Sequence, residues 1–201
     1  MKTTKSIRKK WPQIKAFIQV TSWIVTIIAA ASVFVVGVSV LKTQPDLRTS
    51  YFSAFLLENG HGSSEGEDSI TMKYLHVENI EYLQIGTKIV NIGSGVAYDI
   101  NVSFGLLGMK YSQAADGDWI KGYVSGREDF AYSGSLENPK FSFGRVILSQ
   151  NGGNETFMLL IPFSGIGSID NLPTSCILTV KDITETTLLE KTVTFSYIQS
   201  E

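Results

Sequence analysis

The sequence predicts a mainly β protein, an antiparallel sandwich of about seven to eight strands, behind one N-terminal transmembrane helix. Three observations predict it. Residues 16–41 carry no charge. From residue 70 onward, apolar and polar residues alternate with a period of two. Turn residues punctuate that alternation at short intervals, and no long helical pattern interrupts it.

The uncharged run is "AFIQVTSWIVTIIAAASVFVVGVSVL". At about 1.5 Å per residue it reaches roughly 39 Å, enough to cross an apolar layer of about 30 Å with some tilt. Lys15 and Lys42 bracket it, and Trp11 suits the inner interface. A cleaved leader would have a shorter apolar core and a small-residue site beyond it. Here Ala29-Ala30-Ala31 lies inside the run, so an uncleaved anchor is expected. Residues 1–15 hold six basic residues and no acid. Positive charge stays on the cytoplasmic side. The tail 1–15 is therefore expected inside the cell and residues 42–201 outside it. Those 160 residues carry 11 basic and 19 acidic side chains, a net charge of −8. An acidic domain argues against nucleic acid, which selects a basic face.

Residues 42–70 read as a neck. Leu47, Tyr51, Phe55 and Leu56 stand near helical spacing, and Asn59-Gly60 suits a helix stop. A short amphipathic helix is expected there, resting on the membrane or packing on the domain. "GHGSSEGEDS" has linker composition. His61 with Glu65, Glu67 and Asp68 lacks a fixed geometry for metal.

Residues 71–201 form the sandwich. Strands are expected near 72–80, 82–91, 96–107, 118–124, 141–149, 155–163, 175–182 and 188–198. In "KIVNIGSGVAYDINVSF" the alternation breaks at Asn91-Ile92-Gly93-Ser94-Gly95 and then resumes. The break reads as a tight hairpin between consecutive strands. Asn91 caps the turn, Gly93 and Gly95 supply positive φ, and Ala97 is small where the chain re-enters the sheet. A nucleotide loop would need a third glycine opening a helix.

That stretch resembles the Asn-x-Gly-x-x-x-Ala hairpin of bacterial immunoglobulin-like domains of the adhesion-related CARDB type. "VILSQNGGNETFMLLIP" and "CILTVKDITETTLLEKTVTFSY" are similar to their later hairpins. The resemblance covers roughly residues 72–198. The glycine-rich stretch 108–140 departs from the pattern. It implies an immunoglobulin-like sandwich that binds or spaces, with no catalytic residues to carry over.

Chemical motifs are sparse. His61 and His76 are the two histidines, and no zinc, phosphate-loop or nucleophile-elbow motif occurs. No cofactor or metal is expected. Asp116-Gly117-Asp118 lacks the remaining ligands of a calcium loop and reads as a turn. Cys176 is the single cysteine. It reads as a small buried hydrophobe, and a domain without disulfides points to a bacterial or archaeal envelope. Asn101-Val102-Ser103 and Asn154-Glu155-Thr156 match the glycosylation pattern, which matters only in an organism that glycosylates there. The stretch 108–140 gathers Tyr111, Trp119, Tyr123, Phe130 and Tyr132 among small polar residues. Such a mixture makes contact surfaces or simply packs.

The leading expectation is a non-enzymatic, single-pass envelope module that binds a protein partner. A membrane-anchored hydrolase using Asp116, Asp118, Glu128 and Asp129 is the alternative. A further alternative is an accessory subunit acting through its membrane helix, where Ser22, Thr26 and Ala30 form a small-residue stripe.

Overall fold

The computed structural model describes residues 19–33, 44–112, 120–129, 131–133 and 136–200. The chain divides into two compact units, residues 1–43 and 44–201. In the first, residues 19–33 form helix α1. Thr26 Oγ1 donates to Ser22 O (2.9 Å) and Ser32 Oγ to Ile28 O (2.7 Å). Among the described residues no helix is long and apolar enough to cross a membrane. The tail 1–15 and residues 16–18 and 34–41 of the apolar run lie outside the described residues.

The second unit is a two-sheet sandwich. Its strands are β1 (Leu47–Glu58), β2 (Ser63–Glu65), β3 (Ser69–Tyr74), β4 (Ile80–Asn91), β5 (Ala97–Leu107), β6 (Lys121–Val124), β7 (Arg127–Glu128), β8 (Ala131–Ser133), β9 (Lys140–Leu148), β10 (Gly153–Pro162), β11 (Ser175–Lys181) and β12 (Thr187–Gln199). One sheet has the order β1-β4-β10-β6-β7, the other β2-β3-β12-β11-β5-β9-β8. Each of the eight expected strands overlaps an observed one. The total exceeds seven to eight because β1, β2, β7 and β8 escape the sequence reading. The pairing is not wholly antiparallel: β12 and β3 run parallel, Thr194 opposite Ser69 through Gln199 opposite Tyr74.

The neck is the largest correction. Residues 47–58 are a twelve-residue strand, not an amphipathic helix. A register shift between Thr49 and Tyr51 changes the strand's phase. Leu47 is buried before it, and Phe52, Ala54 and Leu56 after it. The shift is supported by Thr87, buried in β4, whose hydroxyl donates to Tyr51 O (2.9 Å). Asn59 (φ 50°) and Gly60 (φ 77°) then form a two-residue turn closed by Glu58 and His61. Positive φ at both central positions is the type I′ hairpin signature, for which Asn-Gly is the preferred pair.

The second correction concerns residues 91–97. β4 and β5 lie in different sheets. The segment between them is an arch across the sandwich, not a hairpin. Gly93 and Gly95 are not among the described residues with positive φ. Gly93 is required for space, since a Cβ there would strike the backbone of Gln44, Pro45 and Asp46. Asn91, fully buried, is the hub. Its Nδ2 donates to Gly95 O (2.7 Å) and Leu148 O (3.3 Å). Its Oδ1 accepts from Gly93 N (3.1 Å) and Asp46 N (3.2 Å). Ala97 is buried where β5 begins.

The core lies between the sheets. Phe52 and Phe157 from one sheet meet Phe104, Phe143 and Phe195 from the other. The Phe104–Phe143 and Phe143–Phe157 ring pairs are both at 5.5 Å in edge-on geometry. That is the preferred arrangement of aromatic quadrupoles. Cys176 is fully buried here.

Candidate binding surface

The two outer faces of the sandwich differ in chemistry. Side chains in a strand alternate between faces, so the register defines each outer face row by row. On the five-stranded sheet, Leu57 stands opposite Tyr82, and Phe55 lies in a row with Gln84 and Leu160. Ser53, Gly86, Met158 and Tyr123 make the next row, and Tyr51 with Lys88 and Thr156 the last but one. Tyr51 is exposed and its apolar companions are half-buried. On the seven-stranded sheet the comparable row is Glu190, Thr179, Ser103 and Ser142. Nearby, Thr71 and Ser196 hydroxyls bond each other (2.9 Å). An antiparallel sheet with one solvated face carries polar residues outward. The five-stranded sheet breaks that rule in its middle rows with Tyr51, Phe55, Leu57, Tyr82, Tyr123, Met158 and Leu160, whereas the seven-stranded sheet keeps a polar middle row and carries exposed Tyr98, Leu107, Ile147 and Ile198 near its strand ends.

The expected contact residues separate. Tyr111 is buried against Gly165, which has no room for a Cβ beside that ring. It packs and offers no contact surface. Tyr123 joins the apolar outer face. Tyr132 lies in β8 of the other sheet. Trp119 and Phe130 lie outside the described residues, as do Asp116 and Asp118. Glu128 and Asp129 are consecutive exposed residues at the β7 edge. Of the three described aromatics, then, Tyr111 is buried and Tyr123 and Tyr132 belong to different sheets. The residues that accompany Tyr123 were hidden in β1, β4 and β10, where apolar side chains on both faces erase the period-two signal.

A second feature is a shallow groove of about 480 Å³ beside the β1–β2 turn, lined by Glu58, His61, Lys73, Leu75, His76 and Asn79 among others. Glu58 is committed to its frame. The carboxylate accepts from Leu75 N (2.9 Å) and His76 N (2.8 Å) and so clamps the segment after β3. Lys73 pairs with Glu65 at 2.6 Å, and that hydrogen-bonded cation holds the Glu65 carboxyl below its ordinary range. Among the described residues no group of three His, Cys, Asp or Glu could hold a metal. Burial pushes the Cys176 thiol far up, away from the thiolate that nucleophilic chemistry needs.

No family model matches the chain. No curated protein matches it either. Among solved structures, it is similar to the DNA-binding domain of Cep-1, the C. elegans ortholog of human p53. The identity is 11%, the TM-score 0.36, and the match covers 78% of this chain and 84% of that one.

Proposed function

We propose that the protein is a single-pass, membrane-anchored envelope module whose outer domain binds a protein partner and catalyses no reaction. The observation that carries the binding role is the apolar outer face of the five-stranded sheet. Aromatic and Met side chains fixed on a rigid sheet present contact area at little entropic cost. The anchor reading rests on the uncharged run 16–41 between its lysines. Its hydroxyls at Thr26 and Ser32 are bonded to their own helix, which suits a medium without water. By the charge rule, the basic tail is cytoplasmic and the acidic domain extracytoplasmic. Kinship with CARDB-type immunoglobulin-like modules rests on the sequence pattern of Asn91, Gly93 and Ala97 alone, since here those residues build an arch and not the hairpin of that pattern.

The test is in-cell photocrosslinking in the native host from position 123 and, as a control, from Thr194 on the other sheet. A discrete adduct is expected from 123 and none from 194. Leu160→Asp, a solvent-face change, should abolish the adduct while leaving the fold intact. The quadruple variant Asp116→Asn, Asp118→Asn, Glu128→Gln, Asp129→Asn should keep both adduct and cellular function. An inactive quadruple variant that is folded and anchored would favour the hydrolase instead.

A further inference from the structure

The end of the sandwich where Gln44 lies carries a second apolar surface, distinct from the sheet face. Four segments meet there. Gly95 N donates to Gln44 O (3.3 Å) and Ile92 N to Asp46 O (2.9 Å), joining residues 44–46 to the arch. Asn151 N donates to Gly93 O (3.0 Å) and Gly152 N to Asn91 O (2.7 Å), adding the β9–β10 connection. The β11–β12 turn reaches the same level, because Lys181 lies opposite Asn101, four residues into β5. Four large apolar side chains stand exposed among the polar ones at this end: Ile92 at 47%, Ile147 at 55%, Tyr98 and Ile183 at 64%. Ile92 and Ile183 are on loops, and Tyr98 and Ile147 border them at the start of β5 and the end of β9.

We propose that this end of the domain rests on the bilayer, with Ile92, Tyr98, Ile147 and Ile183 seated among the lipid headgroups. The inference rests on the anchor reading above. Leu41 ends the uncharged run and Gln44 is already fixed in the domain. Three residues of chain reach at most roughly 11 Å, so an anchored chain tethers this end of the domain, and not the far one, close to the end of the apolar run. The local charges do not oppose contact, since several are paired or capped. Arg48 pairs with Asp46 (3.4 Å) and Lys181 with Glu185 (3.1 Å). Asp182 is folded onto Thr184 and Thr186. Asp99 and Asp182 keep the end mildly acidic, so apolar insertion drives the contact and anionic lipid is not needed. Tyr98 suits an interface, where its ring is apolar and its hydroxyl wet. Seated this way, the domain stands on end. Its groove at the Asn59-Gly60 turn, eleven strand steps or about 36 Å along β1, points away from the membrane.

The test uses the full chain in phosphatidylcholine vesicles. Single cysteines replace Ile92, Ile183 and, at the far end, Leu75, and each carries an NBD fluorophore. Native Cys176 is buried and stays unlabelled. NBD emission should move to shorter wavelength at 92 and 183 and be quenched by lipids with brominated acyl chains. At 75 neither should occur. Water-like emission at 92 and 183 in a chain that resists carbonate extraction would overturn the proposal and leave the anchor standing. A blue shift without bromine quenching would place a second copy of the chain there and also overturn it. Release of the chain by carbonate would overturn both readings.

Discussion

Replacing Asn91 by Ala removes four hydrogen bonds at once from a fully buried site. Gly95 O and Leu148 O lose their donor inside the protein, and Gly93 N and Asp46 N lose their acceptor nearer the surface. A buried polar group left unmatched costs about 1–3 kcal/mol, and a hydrogen bond recovered by water costs less. Two groups of each kind give a loss of about 3–5 kcal/mol on those figures. That is a large share of the about 5–15 kcal/mol that holds a domain folded. At about 2–4 °C per kcal/mol for a domain of this size, Tm should fall by roughly 10 °C. Thermal unfolding of the full chain in detergent, followed by circular dichroism, reads it. Asn91→Asp sharpens the test. Its carboxylate still accepts from Gly93 N and Asp46 N but repels Gly95 O and Leu148 O. At neutral pH it should be no more stable than Asn91→Ala. Burial raises such a carboxyl's pKa, so this variant, unlike Ala, should regain stability as the pH falls and a proton restores a donor. A fall of less than about 2 °C for Asn91→Ala, or an Asp variant matching wild type at pH 7, would refute the hub.

Two further outcomes follow from the geometry. Cys176 should resist a thiol reagent in the folded chain and react fully in denaturant, and rapid labelling of the native state would contradict its burial. Asp182 is held below the ordinary carboxylate range, first by the Thr184 hydroxyl and then by the Thr186 and Thr184 amides. A depressed folded pKa contributes stability that is present above the unfolded value of about 4 and lost as pH falls through the folded one. Thr184→Val should therefore raise the Asp182 midpoint in a carboxyl NMR titration and lower Tm at neutral pH, converging with wild type in acid. An unmoved midpoint would refute the assignment.

Much of the strand plan was legible because β5, β11 and β12 bury one face and wet the other, or nearly so. β1 was not. Phe55 and Leu57 point outward while Ala54 and Leu56 point inward, so no alternation remains, and the shift at Thr49–Tyr51 mimics helical spacing. Asn59-Gly60 is a strong hairpin signal that the helical reading of β1 turned into a stop. The arch at 91–97 was unreadable locally. Whether two consecutive strands pair or part depends on distant partners: β4 is taken by β1 and β10, β5 by β11 and β9. The apolar outer sheet face fell out of view for the same reason, since its rows come from four strands far apart in sequence. Tyr111 looked like a contact residue because composition does not distinguish a surface aromatic from one packed beneath Gly165.

Protease added to intact spheroplasts tests the central claim most directly, with tags at residue 1 and residue 201. The anchored-module account predicts loss of the C-terminal tag and survival of the N-terminal one as a short fragment that resists carbonate extraction. Protection of the C-terminal tag, or release of the full chain by carbonate, would contradict it.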